Sequence, residues 1–123
     1  MRILLVEDDV VVRTTLEMML TKLGFDVAVA GSAEDGISLF GDGGFDVVMT
    51  DYGLPGINGL MFVRQILRIS PATGTIIVSG LGARHCDDGG PLADRWLEKP
   101  IRPADLSAAI SSVVEESLSR MAS

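Results

Sequence analysis

The sequence has no uncharged run, free of proline and glycine, that is long enough to cross a bilayer, and its first residues lack the apolar segment of a secretory signal. It has one cysteine, Cys86, which excludes an internal disulfide and suits a reducing compartment. These absences predict a cytoplasmic protein with no membrane partner. Basic runs are also missing. A net charge of −7 and a pI of about 4.5 set an acidic surface against phosphate backbones, so direct nucleic-acid binding is not expected. Lysine is scarce, with only Lys22 and Lys99 beside eight arginines, so a lysine at a special position stands out. His85 and Cys86 have no second pair to complete a metal site and read as exposed loop residues. Gly80-Leu81-Gly82 lacks the rest of a dinucleotide fingerprint. There is no repeat, low-complexity tract or linker.

What is present is a good supply of core. Apolar residues make up 47% of 123 positions, enough for one domain spanning 1–123 to fold without disulfides or metal. Short β-branched runs alternate with helical patterns. Strands are predicted at Ile3–Val6, Asp26–Ala30, Asp46–Thr50, Thr75–Ser79 and Arg95–Glu98. Between them, Val12, Leu16, Met19, Leu20 and Leu23 form one helical stripe that stops at Gly24. The Met18-Met19 pair fits the same helix core. Ser32, with Asp35 three residues on, opens a second helix carrying Ile37, Leu39 and Phe40. Asn58 caps a third, with Phe62, Val63, Ile66 and Leu67 inward, and Pro103 starts the last, with Leu106, Ile110, Val113 and Val114. Strict alternation of this kind implies a single doubly wound parallel sheet, α/β in class, with helices on both faces. The segment Gly80–Asp94 departs from it. Four glycines and Pro91 interrupt the pattern, so the fourth helix, between the last two strands, should be short or irregular.

Ligands of such sheets bind at the carboxyl ends of the strands. Glu7, Asp8 and Asp9 follow the first strand, Asp51 the third, Ser79 ends the fourth, and Lys99 follows the fifth. Asp9 is the natural cap of the first helix. The other carboxylates cannot all stay ionised side by side without a cation, so at least one should have a raised pKa. Oxygen-only donors suit Mg²⁺ or Mn²⁺. A carboxylate beside such an ion can attack phosphorus, while a lysine and a hydroxyl hold the remaining phosphoryl oxygens. The residues read as a phosphoryl-acceptor site with one nucleophile.

Four segments carry a family resemblance: Leu4-Leu5-Val6-Glu7-Asp8-Asp9; Asp46 to Gly59, with Pro55 and Gly59 four and eight residues past Asp51; Ile76-Ile77-Val78-Ser79-Gly80; and Trp96-Leu97-Glu98-Lys99-Pro100. In order, they resemble the receiver domains of two-component response regulators. The resemblance implies a flavodoxin-like strand order 2-1-3-4-5 and phosphorylation of Asp51 by a histidine kinase or histidine phosphotransfer protein, with autodephosphorylation. It leaves the downstream partner open. It implies Mg²⁺ held by Asp8 directly, Glu7 through water, Asp51, and the backbone carbonyl of Gly53. Ser79 and Lys99 would meet the phosphoryl group, with Lys99-Pro100 cis, and Trp96 would be the aromatic that turns inward when Ser79 moves. Trp96 as plain core remains the competing reading.

Twenty positions separate Ser79 from Lys99, slightly short for the family, and Ser79-Gly80 resembles receivers attached to hybrid histidine kinases. A free-standing regulator and the receiver of a larger kinase both fit. Gly53 stands where many relatives carry a side chain that influences water access. An aspartate-nucleophile phosphatase would want a second acid at that position. A docking module without chemistry would not need the acid, hydroxyl and lysine set. The domain is therefore expected to promote only its own phosphorylation and dephosphorylation, and not to be an enzyme acting on other substrates.

Overall fold

The computed structural model describes residues 1–80 and 93–122. Five parallel strands form one sheet, β1 (Arg2–Val6), β2 (Asp26–Ala30), β3 (Val47–Asp51), β4 (Gly74–Ser79) and β5 (Arg95–Glu98). Their order is β2-β1-β3-β4-β5. Four helices are described: α1 (Val10–Lys22), α2 (Ala33–Asp42), α3 (Gly59–Ile69) and α4 (Pro103–Ala122). Most of the irregular segment expected at Gly80–Asp94, with His85 and Cys86, lies in residues 81–92, outside the described residues.

Alternation of side chains along each strand divides the core in two. Ile3, Leu5, Val47, Met49, Ile76 and Val78 face α1 and α4, meeting Leu16, Leu20, Leu106 and Ile110. Leu4, Val6 and Val48 face the other way, toward Phe40 of α2 and Phe62 and Ile66 of α3. The central strands are apolar on both sides because both sides are covered. Of the helix positions read from spacing, two fail in α1. Leu23 lies past its last turn and is exposed, and Met18, two positions from buried Leu16 and next to Met19, falls on the solvent side of the helix.

The caps follow the local sequence. Asp9 Oδ1 accepts from the amides of Val11 and Val12, Ser32 Oγ from Asp35, and Asn58 Oδ1 from Met61. The turn after α1 closes on Gly24, at φ +95°, a backbone conformation that side chains disfavour. Gly74 opens β4 where a Cβ would collide with Val113 of α4, so glycine lets that helix close on the sheet.

Candidate functional site

Because the strands are parallel, the residues past their carboxyl ends share one edge. β1 delivers Glu7 and Asp8, β3 ends on Asp51, β4 ends on Ser79, and the chain past β5 delivers Lys99. Tyr52 N–H donates to the Val78 carbonyl at 2.8 Å and Lys99 N–H to the Ser79 carbonyl at 2.8 Å, tying these strand ends together. The Lys99–Pro100 peptide is cis.

Lys99 Nζ lies 2.9 Å from Asp51 Oδ1 and 3.2 Å from Glu7 Oε1. Asp51 Oδ2 accepts from the Gly53 amide at 3.1 Å, and Glu7 Oε2 from the Asp9 amide at 3.2 Å. Glu7 is only 1% exposed. Carboxylate oxygens of Glu7, Asp8 and Asp51 converge to within 4.8 Å of one another. Burial pushes the Glu7 carboxyl above its ordinary value and the Asp51 charge adds to the rise; the Asp9 amide and Lys99 offset part of it. Burial would lower the Lys99 ammonium, but its hydrogen bonds to Asp51 and Glu7 outweigh burial and raise it, so Lys99 stays charged. The rise expected of at least one of these carboxylates falls on Glu7. The scarce lysine sits against two of the three and offsets part of their repulsion.

Ser79 is buried at the end of β4, beside the strand that carries Asp51. Gly53 is held at the site through its amide. Trp96 is half-buried on β5, packed with Leu60, Val63, Ile77 and Ala93. Its indole N–H is buried with no hydrogen-bond partner among the described residues. Its ring meets Tyr52 at a centroid distance of 5.8 Å and a tilt of 39°. Spacing assigns Tyr52 no role, although its place directly after Asp51 is a signal.

Gly59 stands out in the sequence for its position only; the structure gives the reason. Its amide donates to the Tyr52 carbonyl at 2.7 Å, and a Cβ there would lie 2.5 Å from the Asp51 carbonyl oxygen. Glycine at the start of α3 therefore lets that helix sit directly on the turn after Asp51.

Three converging carboxylates, two of them also on a lysine, form an oxygen-only donor set that fits a hard divalent cation. Asp51 has the Lys99 ammonium on one oxygen and the Gly53 amide on the other, a geometry in which a carboxylate is able to act as a nucleophile. Among the described residues no helix is long and apolar enough to cross a membrane.

Residues 3–111 match the family model of the response regulator receiver domain. The transcriptional activator protein PfeR of Pseudomonas aeruginosa is 36% identical over 115 residues, which cover 92% of this chain and 37% of that protein. The transcriptional regulatory protein AfsQ1 of Streptomyces coelicolor is 37% identical over 119 residues, covering 91% of this chain and 50% of its own length. The chain thus spans about half or less of these curated relatives. Among solved structures, a receiver domain protein from Clostridium thermocellum superposes with a TM-score of 0.83 at 30% identity, covering 93% of this chain and 94% of that one. The response regulator TrrA of Thermotoga maritima, solved in complex with Mg(2+)-BeF, gives a TM-score of 0.84 at 25% identity, covering 91% and 97%.

Proposed function

The chain belongs to the response regulator receiver domain family, and we propose that residues 1–123 form a phosphorylation-switched signalling domain whose phosphoacceptor is Asp51. The observation that carries this reading is the placement of Asp51 between Lys99 Nζ, the Gly53 amide and the carboxylates of Glu7 and Asp8. An Asp51 oxygen forms the new bond to phosphorus as the bond from phosphorus to the donor's imidazole nitrogen breaks. The imidazole leaves as the neutral ring once protonated, and the product is an acyl phosphate. Lys99 then pairs with phosphoryl oxygen, and Ser79, one strand over, supplies a hydroxyl to another.

Mg²⁺ is the cofactor that fits, with Mn²⁺ as a substitute, held by Asp8, Asp51, the Gly53 carbonyl and, through water, Glu7. When bound it neutralises charge on the incoming phosphoryl oxygens. The TrrA complex with Mg(2+)-BeF supports this assignment. The phosphodonor is a histidine kinase or a histidine phosphotransfer protein, and a surface for it adjoins the site. Val10 and Val11 are exposed on α1, and an apolar groove between Val12, Thr15 and Met19 on one side and Pro100 and Ile101 on the other runs up to Lys99. The domain acts only on the phosphoryl group of Asp51, and Trp96 beside Tyr52 is the proposed switch.

The test is incubation with acetyl phosphate and Mg²⁺, with intact-mass measurement as the readout. One phosphoryl group should be added to the parent and none to Asp51→Asn or to the parent in excess chelator. Addition that persists in Asp51→Asn would refute the assignment.

A further inference from the structure

The Asp8 carboxylate is exposed and, among the described residues, makes no hydrogen bond or ion pair of its own, yet it converges with Glu7 and Asp51. Its direction must therefore come from the backbone that carries it. β1 stops pairing at Val6, so past the Glu7 amide the backbone that leads to Asp8 is fixed by contacts outside the ladder. Glu7 N–H is taken by the Ala30 carbonyl at 3.0 Å. The Glu7 carbonyl, which shares one rigid peptide plane with the Asp8 amide, accepts from Arg13 Nη1 at 3.0 Å.

Arg13 lies one turn into α1, where its own amide donates to the Asp9 carbonyl at 2.9 Å, and its side chain turns back toward the end of β1. The route is open because residue 31 is glycine. A Cβ there would lie 2.9 Å from Arg13 Nη1.

From these contacts we propose that Arg13 is a positioning residue for the metal site. It fixes the Glu7–Asp8 peptide so that the Asp8 carboxylate faces Asp51, and Gly31 keeps the space through which it reaches. The proposal rests on the reading that these carboxylates hold a divalent cation. Loss of a group that holds metal ligands in place typically costs about 10–100-fold in metal affinity.

Gly31→Ala separates this role from a general loss of fold. Gly31 has no positive φ, and the atom its methyl would meet is the end of a flexible side chain, so the guanidinium moves while the backbone stays. Mg²⁺ affinity is measured by titration calorimetry, and the Asp8 amide resonance is monitored in metal-free protein. Arg13→Met and Gly31→Ala should weaken Mg²⁺ binding about tenfold and move the Asp8 amide signal. Arg13→Lys, which keeps a donor, should restore much of both. Gly31→Ala should unfold in denaturant at the parent's midpoint. Mg²⁺ affinity unchanged from the parent's in both Arg13→Met and Gly31→Ala would overturn the proposal. So would a loss in Gly31→Ala that comes with an equal loss of fold. A parent that fails to bind Mg²⁺ would instead overturn the metal reading beneath it.

Discussion

Removing the charge of Lys99 while keeping its stem, in Lys99→Met, leaves Glu7 and Asp51 as neighbouring carboxylates without a cation. Their side chains are 2% and 11% exposed, so little water replaces the ammonium. Taking one partner from a buried ion pair costs about 3–5 kcal/mol. Here the cost has a ceiling, because Glu7 can escape by holding a proton. From pH 7 down to its ordinary value of 4.5 is 2.5 pH units, at about 1.4 kcal/mol each, which caps the penalty near 3.5 kcal/mol. Lys99 itself is 28% exposed, which softens the loss, so about 2–3 kcal/mol is expected at pH 7. The sign is set by Glu7. Its folded pKa is raised, so the folded state holds more protons than the unfolded one, and that contribution is fully present below about 4.5 and lost as pH rises through the folded value. Without Lys99 the folded value rises further, and the deficit grows with pH. Urea melts in chelator at pH 7 and pH 5.5 test this: the gap between parent and variant should shrink to about 1.4 kcal/mol or less at pH 5.5. Added Mg²⁺ should narrow it at pH 7 by supplying the missing cation. A gap of equal size at both pH values, or none at pH 7, would refute the electrostatic account.

Gly59→Ala should lose about 1–3 kcal/mol, since its methyl meets the Asp51 and Tyr52 backbone and no side chain can swing aside. Because α3 must then back away from the strand end, phosphorylation by acetyl phosphate should slow as well; a variant as stable and as quickly labelled as the parent would show that the contact relaxes freely. Trp96 emission should change saturably with Mg²⁺ and beryllofluoride, and not in Asp51→Asn. Emission that ignores both ligands in protein shown by mass to accept phosphoryl would make Trp96 plain core.

Much of the fold is legible in the sequence because its signals are local. A period of two in the strands and of about 3.6 in the helices is written in residues a few positions apart, and so are the caps Asp9, Ser32 and Asn58. Parallel strands must bring their carboxyl ends to one edge, so the order of elements alone places Asp8, Asp51, Ser79 and Lys99 together. What spacing cannot state is which of those groups touch. Lys99 reaches Glu7 across 92 positions of sequence, and the contact depends on how far past β5 the lysine's stem extends. The near-complete burial of Glu7, the meeting of Tyr52 with Trp96 and the room that Gly31 leaves for Arg13 are likewise non-local. The sequence determined the edge and the chemistry gathered there. Only the packed tertiary structure decided the pairing of charges, because burial and side-chain reach are set by neighbours distant in the chain.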